Sequence, residues 1–439
     1  MNLALAGFLT IGSFLALILI LRMPVLVALI LVPMVSAVLC GFGDGLTTMS
    51  IEGLKIVAPI AVMMTFAILY FGLMIDAGLF EPLVRTLTAF VHHDPVRLCI
   101  ITALLPLLVS LDGDGATTFL ISVTALLPVH RRLGLNPLVL PTIVGLSAGV
   151  MNLLPWGGPT ARAMAVLKTD VSHLFVPVLP AMLAGICWIF CAAFLMGVQE
   201  RRRLRAAGLI ASTPGGPGPD LPAPAAKSPI FWFNLALTLT LLLLLFQGLY
   251  ADLVSVPPIP APLLFILAFA IALPVNRRSA EAQSAQLSAY AASVVTVISM
   301  IFAAGIFTGI LNGTGMIAAM ASVLAGGVPA SVAPWLSQIV AITSMPMSLV
   351  FTPDAYYFGM LPVFAETAKV VGSDPLTIGR AALMGQMTTG FPLSPLTAST
   401  YILIGLSGVS LREHQLHMFR WAFGTTLVMT IVATLTGAI

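Results

Sequence analysis

Charge is what this sequence has least of. Asp, Glu, Lys and Arg make up 8% of its 439 residues, against roughly 25% in a soluble domain. So few charges cannot cover a water-facing surface, which excludes a cytosolic enzyme, a nucleic-acid binder and a disordered scaffold. The net charge of +3 is too slight to imply a polyanionic partner. Cysteine is scarce too. Cys40, Cys99, Cys187 and Cys191 lie in apolar stretches outside any spaced Cys/His ligand set, and they read as packing residues. The start of the chain lacks a basic n-region and a small-residue cleavage site. Residues 3–21 therefore read as a retained span rather than a cleaved signal.

Apolar sequence is what abounds, at 59% hydrophobic residues and a mean hydropathy of +1.08. A membrane helix needs roughly 20 such residues. Stretches 3–21, 24–40, 56–75, 174–198, 230–250, 261–275, 290–311 and 418–438 qualify cleanly, whereas 96–129, 138–168, 332–371 and 381–406 are broken by polar, Gly and Pro clusters. The fold expected is an all-α polytopic membrane protein. If 96–129 and 332–371 each enter and leave on one side, nearly all Arg and Lys fall on one face, including Arg97, Arg131 and the arginines of 201–205. By the positive-inside rule that face is cytoplasmic and both termini are extracytoplasmic. Treating 96–129 as a simple crossing would put Arg97 and Arg131 on opposite sides, so the charges favour re-entrant hairpins. The location expected is the plasma (inner) membrane.

The two halves repeat one another. At a near-constant offset, Phe66-Ala67 recurs as Phe302-Ala303, Asp114 as Asp354, Pro155 as Pro392 and Thr160-Ala161 as Thr397-Ala398. The topology gives these halves opposite orientation, and inverted repeats with discontinuous helices mark a secondary transporter. The organisation expected is N-terminal scaffold helices in 1–55 and a first repeat in 56–198, with hairpin 96–129 and broken helix 138–168. A cytoplasmic linker, 199–229, leads to scaffold helices in 230–289. The second repeat, 290–439, contains hairpin 332–371 and broken helix 381–406 and ends in a last helix.

Breaks at membrane depth are tolerated only where backbone lines protein or water. The clusters around Asp112-Gly113-Asp114, Asn152 to Thr160, Thr352-Pro353-Asp354 and Thr388 to Thr397 are four such breaks. Their freed N–H groups suit a carboxylate, and their freed carbonyls and aspartates suit a cation. The candidate substrate ligands are Thr117, Thr118, Asn152, Gly157, Gly158, Thr160, Arg162, Thr389, Gly390, Ser394 and Thr397. Asp112, Asp114 and Asp354 are the candidates for proton or cation coupling, since an intramembrane acid is a functional hypothesis by default; the alternative for each is an N-cap. Arg162 needs an anion, either a substrate carboxylate or Asp112 or Asp114 in a structural pair. Asp76 and Asp94 read as solvated span ends, and the six histidines as residues of the membrane edges. An intramembrane aspartyl protease is the enzyme alternative, but the Gly-x-Gly-Asp signature is missing, since Leu111 stands two residues before Gly113.

The runs Phe66-Ala67-Ile68-Leu69-Tyr70-Phe71-Gly72, Leu111-Asp112-Gly113-Asp114-Gly115-Ala116-Thr117-Thr118, Asn152-Leu153-Leu154-Pro155-Trp156-Gly157-Gly158-Pro159-Thr160 and Asp354-Ala355-Tyr356-Tyr357 resemble the citrate-metal:proton symporter family over nearly the whole chain. The resemblance implies uptake of citrate as a complex with a divalent cation, Mg or Ca, driven by proton symport. It also implies an elevator-type homodimer. Asp114 and Asp354 would then also contact the metal of the complex, and no resident cofactor is implied. Two positions depart from the family pattern. Thr352-Pro353-Asp354 replaces a Ser-Asn-Asp tip, and Gly385-Gln386 leads into Met387 rather than a nearby His. A sodium-coupled di- or tricarboxylate carrier is the runner-up.

Overall fold

The computed structural model describes residues 2–82, 86, 94–112, 115–208, 228–247 and 259–439, with the backbone alone at 112. Gly113, Asp114 and most of the linker therefore lie outside the described residues, as does the side chain of Asp112. All regular structure among the described residues is helical. Four helices are long and apolar enough to cross a membrane, and eight shorter apolar helices accompany them. The protein is thus a multi-pass membrane protein.

After α1 (Leu3–Leu19) and α2 (Val25–Leu39) comes α3, Leu46–Asp76, which begins ten residues before the clean apolar stretch. Helices α4 (Pro95–Val109) and α5 (Gly115–Arg132) are joined through a 3-10 turn, Ser110–Asp112. Thr102 Oγ1 lies 2.8 Å from His130 Nε2, and Ser110 Oγ 3.0 Å from Thr118 Oγ1, so the two arms run back along each other. Helices α6 (Val139–Met151) and α7 (Gly158–Leu167) are the two halves of the first broken helix, and α8 is Leu179–Ala206. Then follow α9 (Pro229–Leu245), α10 (Ala261–Asn276) and α11 (Ala280–Gly313). Helix α12 (Met316–Gly326) is an element that the apolar stretches do not announce. Its 11 residues fall well below span length, and Gly315, at φ +75°, turns the chain into it.

Helix α13 (Leu336–Met347), a π-helical turn Ala355–Met360 and α14 (Leu361–Val370) form the second hairpin, with both arms packed on α15, Pro375–Leu383. The second break carries a 3-10 turn, Phe391–Leu393, before α16 (Ala398–Ser407), and α17 (Leu411–Leu435) closes the chain.

Both feet of the first hairpin meet one end of α8. Arg201 grips both oxygens of Asp94 at 2.6 Å, Arg203 donates to the Gly134 carbonyl, and the Asn136 amide donates to Glu200. Asp94 is therefore paired, not merely solvated. Elsewhere Arg380 donates to the carbonyls of His173 and Ala438, drawing the 168–178 segment, α15 and the C-terminus together.

Helices α3 and α11 carry the equivalent Phe-Ala pairs and lie antiparallel, with Met49 against Gly313, Gly53 against Gly305 and Gly309, and Gly72 against Tyr290. A Cβ added at Gly53 would sit 2.0 Å from the Gly305 carbonyl oxygen. Such small-residue seams let backbones touch, which drives helix association where lipid tails offer no hydrophobic gain. Gly53→Val is expected to destabilise the protein by about 3 kcal/mol, the upper range of overpacking. The check is a lowered apparent melting temperature in detergent, with Gly326→Ala, at an open position, as the neutral control.

Candidate functional site

The four breaks meet. Trp156, in the first broken helix, donates from Nε1 to the Leu111 carbonyl at the first hairpin tip over 2.8 Å and stacks on Phe71 of α3. Asn152 Nδ2 reaches across to the Met387 carbonyl in the second break at 3.1 Å. Phe119 of α5 stacks on Phe391. In the second half, Ser348 Oγ donates to Gln386 Oε1 and Tyr357 to the Gln386 carbonyl, tying the second hairpin to the second break.

Glycines make this convergence possible. A Cβ at Gly157 would meet the Asn152 oxygen at 2.1 Å, and one at Gly390 would meet Ser348 Oγ at 2.3 Å. Met387 takes φ +57° between them. An unbranched side chain tolerates that left-handed geometry at a cost of about 1–3 kcal/mol, and such residues cluster at ligand clamps.

Arg162 resolves the question of its anion. Its Nε lies 2.7 Å from Asp354 Oδ1, with side chains 20% and 16% exposed. Among the described residues its partner is the acid of the second hairpin, where the sequence leaves open a substrate carboxylate, Asp112 or Asp114. Asp114 is outside the described residues, as is the side chain of Asp112. Arg162 also donates to the Gly158 carbonyl and approaches the Met387 sulfur.

Arg162 borders a cavity of about 530 Å³ between the breaks and the α3/α11 seam, a volume in the range of small-molecule sites. Its walls include Thr117, Trp156, Gly158, Arg162 and Met387 on one side, with Gly72, Tyr290, Ser293 and Thr296 on the other. The remaining candidates lie around it rather than on its wall. Thr118 bonds Ser110, Thr160 donates to the Leu153 carbonyl, and Thr389 bonds Thr426, so these hydroxyls hold the turns. Ser394 Oγ accepts from the Leu396 amide, while Thr397 Oγ1 is buried with no partner among the described residues.

Tyr290, Ser293 and Thr296 escape a search for breaks because α11 is unbroken there. Their three-residue spacing on one helical face is the signal that would have found them. Tyr290 donates to the Gly72 carbonyl and to Asp76, and Asp76 also accepts from Gln286 at 2.7 Å, so Asp76 too is partnered. The histidines also depart from expectation, since His130 and His414 are buried at 4% and 0% exposure.

A family model described as citrate transporter matches residues 10–385. A citrate transporter of Bacillus subtilis (strain 168) is 48% identical over 438 residues, covering 100% of this chain and 99% of that protein. The Mg(2+)/citrate complex secondary transporter of the same organism is 41% identical over 439 residues, with 100% and 99% covered. Among solved structures, the YdaH transporter of Alcanivorax borkumensis shares the fold at a TM-score of 0.64 and 16% identity, over 98% of both chains. These relatives are transporters, which removes the protease alternative. With its cavity, its paired breaks and full-length relatives of that kind, the chain belongs to the citrate transporter family.

Proposed function

We propose that this protein takes up citrate across the plasma (inner) membrane as a secondary active transporter, carrying it as a complex with a divalent cation, Mg or Ca, by proton symport. The observation that carries the reading is Arg162 on the cavity wall with Asp354 as its ion-pair partner. It joins a permanent cation, suited to a substrate carboxylate, to an acid that can take up a proton as the substrate arrives. Thr117 and Gly158 share that wall, and Asn152, Gly157, Thr160, Thr389, Gly390, Ser394 and Thr397 shape the breaks behind it.

The antiparallel α3 and α11 support inverted repeats, and inverted repeats with hairpins support an elevator motion of the breaks against the seam. The working form is a homodimer with extracytoplasmic termini and a cytoplasmic 199–229 loop. Sodium coupling would favour neutral oxygen ligands, and the hydroxyl of Thr389, one of those available, is engaged with Thr426.

The test is uptake of labelled citrate into proteoliposomes under separately imposed proton and sodium gradients, with and without Mg or Ca. Accumulation should follow the proton gradient and require the divalent cation. Accumulation driven by sodium alone would put the sodium-coupled carrier first.

A further inference from the structure

Two adjacent residues near the start of α17 hold carbonyls that the second break leaves free. His414 Nε2 lies 2.9 Å from the Pro392 carbonyl, and Gln415 Nε2 donates to the Leu393 carbonyl at 2.8 Å. A carbonyl only accepts, so Nε2 carries the ring proton and Nδ1 offers a lone pair. That lone pair is fully buried and has no partner among the described residues. One helical turn on, His417 Nδ1 lies 2.9 Å from Thr142 Oγ1. Glu200 stands at the arginine-rich end of α8, bonded to Arg203.

Few other titratable groups face this ring. Val139–Met151, Leu336–Met347 and the break at 384–397 contain none, and Tyr401 of α16 is exposed and donates to the Pro395 carbonyl. Helix α8 brings Glu200 and its arginines, while its Cys187 and Cys191 are exposed.

We propose that His414 is a second proton-binding residue of the carrier, distinct from Asp354, which takes a proton on Nδ1 and so links protonation to anion binding at the second break. The inference rests on the proton-coupled reading above. An imidazolium gripping the Pro392 carbonyl sets a positive charge on the second break, whose Met387 lines the cavity. A bound anion there favours the proton, and the proton favours the anion by the same factor.

The test compares the full-length parent with His414→Gln, whose amide can still donate to Pro392 but cannot take a proton. Citrate affinity, with Mg present, is measured between about pH 5.5 and 7.5, the window of histidine titration. The ionisation of citrate is common to both proteins, so the difference between slopes isolates the residue. The parent should gain affinity on acidification more steeply than the variant, by up to about tenfold per pH unit for one linked proton. Equal slopes overturn the proposal, whereas a merely structural role lowers stability and leaves the slope alone. Should His414→Gln not fold, nitrogen-15 NMR of the histidine-labelled parent decides. Citrate should convert a buried neutral ring to imidazolium, and a ring that stays neutral under saturating citrate overturns the assignment. A parent whose uptake ignores the proton gradient fails the coupled reading itself, whereas a proton-driven parent matched in slope by the variant fails His414 alone.

Discussion

Arg162→Gln is expected to abolish citrate binding while leaving a protein that folds, and the double variant with Asp354→Asn should separate the two reasons for the loss. Removing the guanidinium alone strands Asp354 at low exposure, and breaking a buried pair costs about 3–5 kcal/mol when the remaining charge is unrelieved. Here both side chains stay partly exposed, so water can relieve the stranded charge and the loss of stability should fall below that range. Asp354→Asn on top of Arg162→Gln should regain the stability without regaining binding. Calorimetric citrate binding and thermal unfolding of all three variants make the check. A single variant that binds citrate normally would leave Arg162 as a structural partner of Asp354 and nothing more.

Asp354→Asn alone is expected to leave citrate exchange in place and to remove accumulation against a gradient. The pair is neutral when empty. On the proposed function, a citrate trianion chelating a divalent ion would add one negative charge and a proton on Asp354 would restore neutrality, so one proton would accompany each complex at little electrostatic cost. Without a titrating group there, accumulation should fall by about tenfold for each unit of imposed pH difference. Counterflow and gradient-driven uptake at several pH values make the comparison. A variant that accumulates citrate like the parent would show that Asp354 does not couple, and attention would pass to Asp114, for which the sequence predicts the same behaviour.

Much of this site can be read in the sequence because breaks in an apolar stretch are conspicuous. Asp354, Pro155, Pro392 and the glycines of both breaks stand out as soon as the halves are aligned, and Arg162 stands out as a cation without a nearby anion. The partner of Arg162 does not, because it comes from the other half, 192 residues away, where only the packing of one hairpin on one broken helix brings it near. The buried histidine is hidden for a different reason. Hydropathy places the last span at 418–438, whereas the helix starts at Leu411 behind a capping box of Ser410 and Glu413. Those two residues, three apart before an apolar run, are a signal of helix onset, and heeding them would have placed His414 inside the membrane-spanning helix. Likewise α3 and α11 each begin ten residues before their clean apolar stretch, because polar residues ride on their outer turns.

The seam between α3 and α11 behaves like a rack with meshed teeth. Sliding one helix past the other by a single residue, about 1.5 Å, would drive Cβ atoms of Met49 or Val57 into positions that only Gly53, Gly305 and Gly309 now fit. The two helices of that wall therefore hold their register, which fits the motion of the breaks against the seam proposed above. In that proposed motion Arg162 and Asp354 would travel together, so an unloaded return stroke would carry its two charges still clasped, each the counter-ion of the other.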